Sequence, residues 1–442
     1  MDKNKRLTVW LPVIIAASIA LGIFIGNHYL SISQGKKRSY SSGNKINAIL
    51  DIIDEQYVDT VSMSKLVEST IPKIFSELDP HSVYIPAEDA SVVNEELEGS
   101  FSGIGVSFNM QTDTILVISV ISGGPAEKAG LLPFDRIISI NDSIFSGKKK
   151  NQGEIMKTLR GAKNSTVKLG VQRGNSPELL YFDVTRGDVP VNSVDVSYEA
   201  AKGIGYIKVS KFARNTYNEF ITAIAKLKQA GCTSFVIDLR GNTGGYMDAA
   251  INMINEFMPE GRLIVYTEGK SFPRSDVYAN GTGTCKDAPI VVLTDEISAS
   301  ASEIFSGAIQ DNDRGTIIGR RTYGKGLVQT QMSLSDGSEM RLTIARYYTP
   351  SGRCIQKKYE MGNTDAYDQD IYNRYMHGEF DSADSIKMDD SLKYQTVGGR
   401  TVYGGGGIMP DIFIPRDTSG VTSYYSNCLL YTSPSPRDST SS

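Results

Sequence analysis

The sequence predicts an α/β protein: a layered core, a small β-rich module inserted ahead of it, and a helical segment on the N-terminal side. Three observations carry this. Short apolar runs at 205–209, 234–239, 290–293 and 316–318 alternate with helical repeats at 216–230, 249–257 and 299–310, the order that produces parallel strand pairs. Residues 100–186 hold closely spaced β-type runs broken by Gly and Pro. Apolar residues at helical spacing (Ile46, Ile49, Leu50, Ile53, then Leu66, Val67, Ile71, Ile74, Phe75, Leu78) fill the stretch before them. The chain has 442 residues, 40% of them hydrophobic and 22% charged, with a net charge of −4. Length predicts several domains, and the charge leaves no basic footprint for nucleic acid.

Taken in order, residues 1–30 carry Lys3, Lys5 and Arg6 and then an apolar run over 7–25, interrupted by Thr8, Pro12, Ser18 and Gly22. A run of that length can cross a bilayer core, with the leading charges kept in the cytoplasm. It reads as an inner-membrane anchor; the alternative is a cleaved export signal. Either places the remainder in the periplasm or otherwise outside the cytoplasm. Residues 31–43 are a Ser/Gly/Lys/Gln tether. The helical region, 44–99, has its second helix closed by Asp79-Pro80, since the residue before proline disfavours the α region.

The β-rich module spans 100–187, with strands expected at 115–122, 136–141, 166–172 and 179–185 and helices at 125–131 and 153–159. The core runs 188–358, with a further strand at 341–347. Residues 359–400 are acidic and Tyr-rich and read as a surface insertion, and 401–427 return to the core. Residues 428–442 have no hydrophobic period and resemble the translation of a sequencing-library adapter. They are expected to be a non-native tail, with the natural C-terminus missing.

Histidine, the usual base of serine hydrolases, offers little. His28 borders the apolar run, His81 follows Asp-Pro, and His377 sits in the acidic insertion. There is no GxSxG elbow, and neither HExxH nor a His/Cys cluster, so neither a Ser-His-Asp triad nor a metal site is supported. Cys232, Cys285, Cys354 and Cys428 form no CxxC pair; a Cys285–Cys354 disulfide and free thiols are both open.

Three segments hold the chemistry. Asp295-Glu-Ile-Ser-Ala-Ser-Ala-Ser-Glu-Ile-Phe305 follows a buried-strand candidate and opens a helix. Backbone N–H groups and the helix dipole there favour developing negative charge, although serine is also a common N-cap. In Arg320-Arg-Thr-Tyr-Gly-Lys-Gly-Leu-Val-Gln329 a lysine lies between two glycines. Burial and the positive Arg320 and Arg321 are expected to lower its pKa; a surface lysine is the alternative, and no Ser/Thr follows it to make a Walker loop. Phe235-Val-Ile-Asp-Leu-Arg-Gly-Asn-Thr-Gly-Gly245 runs a strand into a Gly-rich turn able to aim N–H groups at an oxyanion. It lacks the GxGxxG spacing of a dinucleotide site.

These segments, with Leu78-Asp-Pro-His-Ser82, Phe101-Ser-Gly-Ile-Gly-Val106 and Tyr347-Tyr-Thr-Pro-Ser-Gly352, come in the order found in the C-terminal (tail-specific) processing peptidases, serine peptidases of the Ser–Lys type with an embedded PDZ domain. The chain resembles that family over 44–358 and 402–415. The resemblance implies a crotonase-like/ClpP-like β-α superhelical peptidase core with a PDZ domain at 100–187. It implies Ser300 as nucleophile, Lys325 as base and Gln329 as the residue that orients it. It places an oxyanion hole at Gly244, Gly245 and Ala301, and makes Asp311 structural or accessory.

The loop Gly103, Ile104, Gly105 and Val106 would grip a substrate's free C-terminus, the tail adding as a strand. Phe134, in Gly130-Leu-Leu-Pro-Phe-Asp135, stands where the family pattern has glycine. The implied partners are proteins or peptides with accessible C-terminal tails, with no cofactor and self-association left open. The rivals are an inert PDZ adaptor in the envelope and a crotonase-like acyl-CoA enzyme.

Overall fold

A computed structural model describes residues 16–21, 42–111, 114–145, 152–174 and 176–417. Most of the apolar run at 7–25 and all of 418–442 lie outside the described residues. Among those that are described, no helix is long and apolar enough to cross a membrane. The chain divides into two units, 1–70 and 71–442. In the first, the helix Ser42–Gln56 turns Ile46, Ile49 and Ile52 toward solvent.

In the second unit the β-rich module closes a six-stranded antiparallel sheet. Its main path runs Val106–Gln111, Thr114–Val120, Arg136–Ile140, Thr166–Gln172, Leu179–Thr185, with Val106–Gln111 at one edge. The short helix Pro125–Ala129 ends at Gly130, whose φ of 90° supplies the left-handed cap. The expected elements all appear; the strand Val106–Gln111 was anticipated only as a docking edge. Phe134 adopts φ 70° in the glycine position of its turn, so the geometry is kept with an aromatic residue there. Behind it the buried Asp135 accepts from Leu132 N–H at 2.8 Å and pairs with Arg173 at 2.8 Å.

The core is built on a second six-stranded sheet in the order Val194–Ala201, Ile204–Val209, Ser234–Asp238, Ile290–Thr294, Thr316–Gly319, Ile412–Phe413. Its first pair is antiparallel and the other four are parallel, as strand–helix alternation requires. The helices Thr216–Gln229, Met247–Asn255 and Ala301–Asp311 contribute buried faces to one apolar core, centred on Ile207, Ile237, Val292 and Phe305. Within it Phe257 stands edge-on to Phe220, Phe235 and Phe305, with centroids 6.2, 6.3 and 6.4 Å away.

The run at 341–347 is not part of this layer. It belongs to Glu339–Tyr348, the centre of an antiparallel sheet with Leu327–Ser333, Val83–Ile85 and Leu263–Glu268. The insertion 359–400 also corrects its surface assignment. Its helix Thr364–Met376 buries Tyr367 and Arg374, and Phe380 is buried after it. Cys232, Cys285 and Cys354 are free thiols, so no Cys285–Cys354 disulfide forms.

The three chemical segments follow the C-terminal ends of three neighbouring parallel strands, Ser234–Asp238, Ile290–Thr294 and Thr316–Gly319. Loops on that edge are where open α/β sheets place ligands. Phe257→Ala should cost about 3–5 kcal/mol, since it deletes a fully buried ring from a packed aromatic group. Urea denaturation measures this, and a loss below about 1 kcal/mol would mean the core collapses around the gap.

Candidate active site

The Ser/Ala segment is stitched to the Gly-rich turn by two of its serines. Ser298 Oγ donates to the Leu239 carbonyl at 2.8 Å, and Ser302 Oγ to the Asn242 carbonyl at 2.9 Å; both serines are fully buried. Ala299 N–H reaches the same Asn242 carbonyl at 3.0 Å. Ser300, between them, lines a cavity of about 520 Å³. It occupies the N-cap position of the helix Ala301–Asp311 with φ 55° and ψ −112°, a conformation L-residues rarely hold. Such a residue stores about 1–3 kcal/mol and persists only where its surroundings over-determine it.

Two buried side chains do that, and both also hold the lysine. Glu303 is fully buried and accepts four hydrogen bonds. Its Oε2 takes the N–H of Ser300 at 2.8 Å and of Lys325 at 2.9 Å. Its Oε1 takes Thr322 Oγ1 at 2.5 Å and the N–H of Gly324 at 2.7 Å. The Tyr347 hydroxyl, also buried, reaches the Ser300 carbonyl at 3.0 Å and the Lys325 carbonyl. Ser300 and Lys325 are thus joined through their backbones across the sheet edge. Burial pushes the Glu303 carboxyl up to about 7, against the pull of its donors.

Lys325 lines the same cavity, its Nζ donating to Gln329 Oε1 at 3.2 Å. Burial holds its pKa below the usual 10.5, helped by Arg341 and opposed by Glu303 and Asp79. The arginines expected to do this do not. Arg320 pairs with Glu296 and Arg321 with Glu379, each at 2.6 Å, so their charge is spent locally. The insertion grips the lysine turn from behind. Arg374 donates to the carbonyls of Thr322 at 3.0 Å and Arg321 at 2.8 Å; just ahead of the insertion, Lys357 N–H reaches the Gly324 carbonyl at 2.9 Å.

Gly244, Gly245 and Ala301 also line the cavity. A Cβ at Gly244 would lie 2.8 Å from Ser300 Cβ, so only glycine permits the approach. Its N–H, however, is committed to Asn242 Oδ1 at 2.9 Å and is not offered to the cavity, which corrects its place among the expected oxyanion donors. Asp311 is structural: it pairs with Arg353 at 2.7 Å, both side chains being fully buried.

In the β-rich module Gly105 has φ 77°, and the carbonyls of Ile104 and Gly105 accept from Ala126 at 2.7 Å and Ile121 at 3.0 Å. The Ile104 side chain is packed in the module's core, leaving only its backbone for a ligand. Sequence reasoning missed Glu303, Tyr347 and Arg341. The spacing Ser300-x-x-Glu303 matches a capping box and was the available signal for Glu303; Tyr347 opens one of the motifs behind the resemblance without a role attached, and nothing local marks Arg341.

Glu303→Gln replaces one acceptor oxygen by a donor and leaves two buried donors unpaired, at about 1–3 kcal/mol each. A denaturation midpoint close to that of the unaltered protein would contradict the clamp. Because the folded carboxyl sits above the ordinary 4.5, its contribution to stability is complete below pH 4.5 and lost as pH rises through about 7. The stability difference between unaltered protein and Glu303→Gln should therefore shrink from pH 4.5 to 7.5 in parallel denaturation series.

A family model described as peptidase family S41 matches residues 203–365, and one described as a PDZ domain matches 102–195. The carboxy-terminal processing protease CtpB of Bacillus subtilis is 35% identical over 318 residues, covering 71% of this chain and 66% of that protein. A probable CtpA-like serine protease of Staphylococcus aureus is 33% identical over 365 residues, covering 81% of this chain and 72% of that one. Among solved structures, a photosystem II D1 C-terminal processing protease is similar at 24% identity and a TM-score of 0.42, covering 85% of this chain and 94% of that one.

Proposed function

The chain belongs to peptidase family S41 and carries a PDZ domain, and on that premise we propose that it is a carboxy-terminal processing endopeptidase whose dyad is Ser300 and Lys325. The observation that carries the reading is the shared cavity. Ser300, Lys325 and Gln329 line one 520 Å³ space, with Glu303 and Tyr347 bonded to the backbones of both nucleophile and base.

Lys325, neutral because its ammonium form is poorly solvated, takes the proton from Ser300 Oγ. Oγ attacks the scissile carbonyl. The oxyanion is received by the N–H groups of Gly245 and Ala301, with Gly244 providing clearance. The Lys325 ammonium then returns its proton to the leaving amine, and water, deprotonated by the same lysine, releases the acyl group from Ser300. Gln329 holds the amine through one N–H. Ile304, Leu327, Val328 and Met247 give the cavity apolar walls, suited to apolar side chains next to the scissile bond.

Tail recognition falls to the module. The edge strand Val106–Gln111 is open to strand addition, and the backbone of Gly103, Ile104, Gly105 and Val106 precedes it where a terminal carboxylate would sit. The basic residues and apolar run of the first 25 residues support an export segment that anchors the enzyme at the membrane, outside the cytoplasm.

An unstructured peptide with an apolar free C-terminus, compared with its C-terminal amide, tests both halves. Ser300→Ala and Lys325→Ala should each lower kcat by at least ~10³-fold with folding intact. Amidation should raise KM about tenfold or more through loss of charge-assisted hydrogen bonds. Lys325→Ala that keeps most of its activity contradicts the dyad, and equal KM for acid and amide contradicts tail capture.

A further inference from the structure

The motif Leu78-Asp-Pro-His-Ser82 has no part in the mechanism above, yet it sits against the base. Gln329, whose Oε1 accepts from Lys325 Nζ at 3.2 Å, turns its Nε2 to the main-chain carbonyl of His81. The His81 ring faces the insertion, its Nε2 lying 2.9 Å from the Tyr367 hydroxyl with the two rings edge-on. Tyr367 is buried, and its oxygen accepts from Gln356 Nε2 at 3.3 Å. Gln356 in turn accepts the N–H of Gly326, the residue after the lysine, at 2.8 Å.

The other side of the turn is equally fixed. Asp79 accepts from the N–H of His81 at 3.0 Å, from Ser82 N–H at 3.1 Å and from Thr343 Oγ1 at 2.9 Å. Ser82 Oγ receives Thr343 N–H at 3.0 Å, which ties the motif to the strand paired with the one that carries Gln329.

A glutamine amide can rotate by half a turn and exchange its oxygen for its NH2. Presented with NH2, the neutral Lys325 amine would accept from it, and the lone pair needed for the Ser300 proton would be occupied. A carbonyl only accepts, so the His81 carbonyl dictates that Nε2 faces it and Oε1 faces Lys325. With one amine N–H taken by that oxygen, the lone pair is left for the Ser300 proton.

We infer that His81 and Tyr367 are positioning residues for the base, holding the Gln329 amide in the one orientation that aims the Lys325 lone pair at Ser300. The inference rests on the Ser300–Lys325 reading. Hydrogen-bond direction agrees with it. We assign the Tyr367 proton to His81 Nε2, since Tyr367 already accepts from Gln356; the imidazole hydrogen is then on Nδ1. The ring must be neutral to accept there. Burial, Lys325 and Lys357 lower its pKa to about 4, against Asp79, so it stays neutral at working pH.

The test measures kcat, KM, melting temperature and the rate of fluorophosphonate labelling of Ser300 in Tyr367→Phe, His81→Leu and His81→Gln, with Lys325→Ala alongside. Loss of one neutral hydrogen bond predicts a fall in kcat of about threefold to tenfold in Tyr367→Phe and His81→Leu, with labelling slowed in step and KM within about twofold. His81→Gln, whose amide oxygen can take the Tyr367 proton, should recover part of the loss. Unchanged kcat per labelled serine in Tyr367→Phe and His81→Leu, with Lys325→Ala inactive, overturns the inference even if melting temperatures fall. Activity surviving in Lys325→Ala overturns the dyad itself, and this inference with it.

Discussion

A primary amine gives up its proton near neutral pH only where its ammonium form cannot be hydrated. Lys325 lies in a turn flanked by Gly324 and Gly326, a place where a lysine would ordinarily reach water. Distant pieces of chain enclose it: the hairpin of Leu327–Ser333 and Glu339–Tyr348, the motif around His81, and the helix Thr364–Met376 behind the turn. Arg341 reinforces the effect of burial, while Glu303 and Asp79 work against it. Desolvation has to win that contest, which is why so much structure is spent on closing one side of a short turn.

Glu303 is the element that ties Ser300 and Lys325 into one object. A buried carboxylate is costly unless its oxygens are filled, and here four donors fill them, drawn from the serine and lysine turns together. The same contacts hold Ser300 in its strained backbone conformation. The outer serines explain the repeat: Ser298 and Ser302 spend their hydroxyls on the Gly-rich turn, and the alanines between them are small enough to be buried. Placing the site at the C-terminal edge of three parallel strands keeps these turns adjacent without any of them being long.

Much of this was legible in the sequence because it is local. The 3.6-residue periods at 216–230 and 299–310 and the parallel core strands follow from spacing. Ser300, Lys325 and Gln329 came from the resemblance to a family, and the fold brings them into one cavity. What failed was set by partners that spacing does not reveal, most of them far along the chain. Arg320 and Arg321 were expected to act on Lys325, but Glu296 and Glu379 neutralise them. Gly244 was expected to offer an N–H that Asn242 already holds. The Tyr-rich insertion looked like solvated surface because its composition is polar. Yet Tyr367 and Arg374 turn inward, and a single buried arginine leaves no periodic trace.

The most direct measurement is the titration of the Lys325 side chain itself, followed by NMR at a specifically labelled Cε in the intact Ser300→Ala protein. The account predicts a midpoint clearly below the ordinary 10.5, which moves back toward that value when the protein is unfolded. A midpoint at or above 10.5 in the folded protein would show that burial does not leave the amine neutral. No arrangement of the surrounding residues would then make it the base.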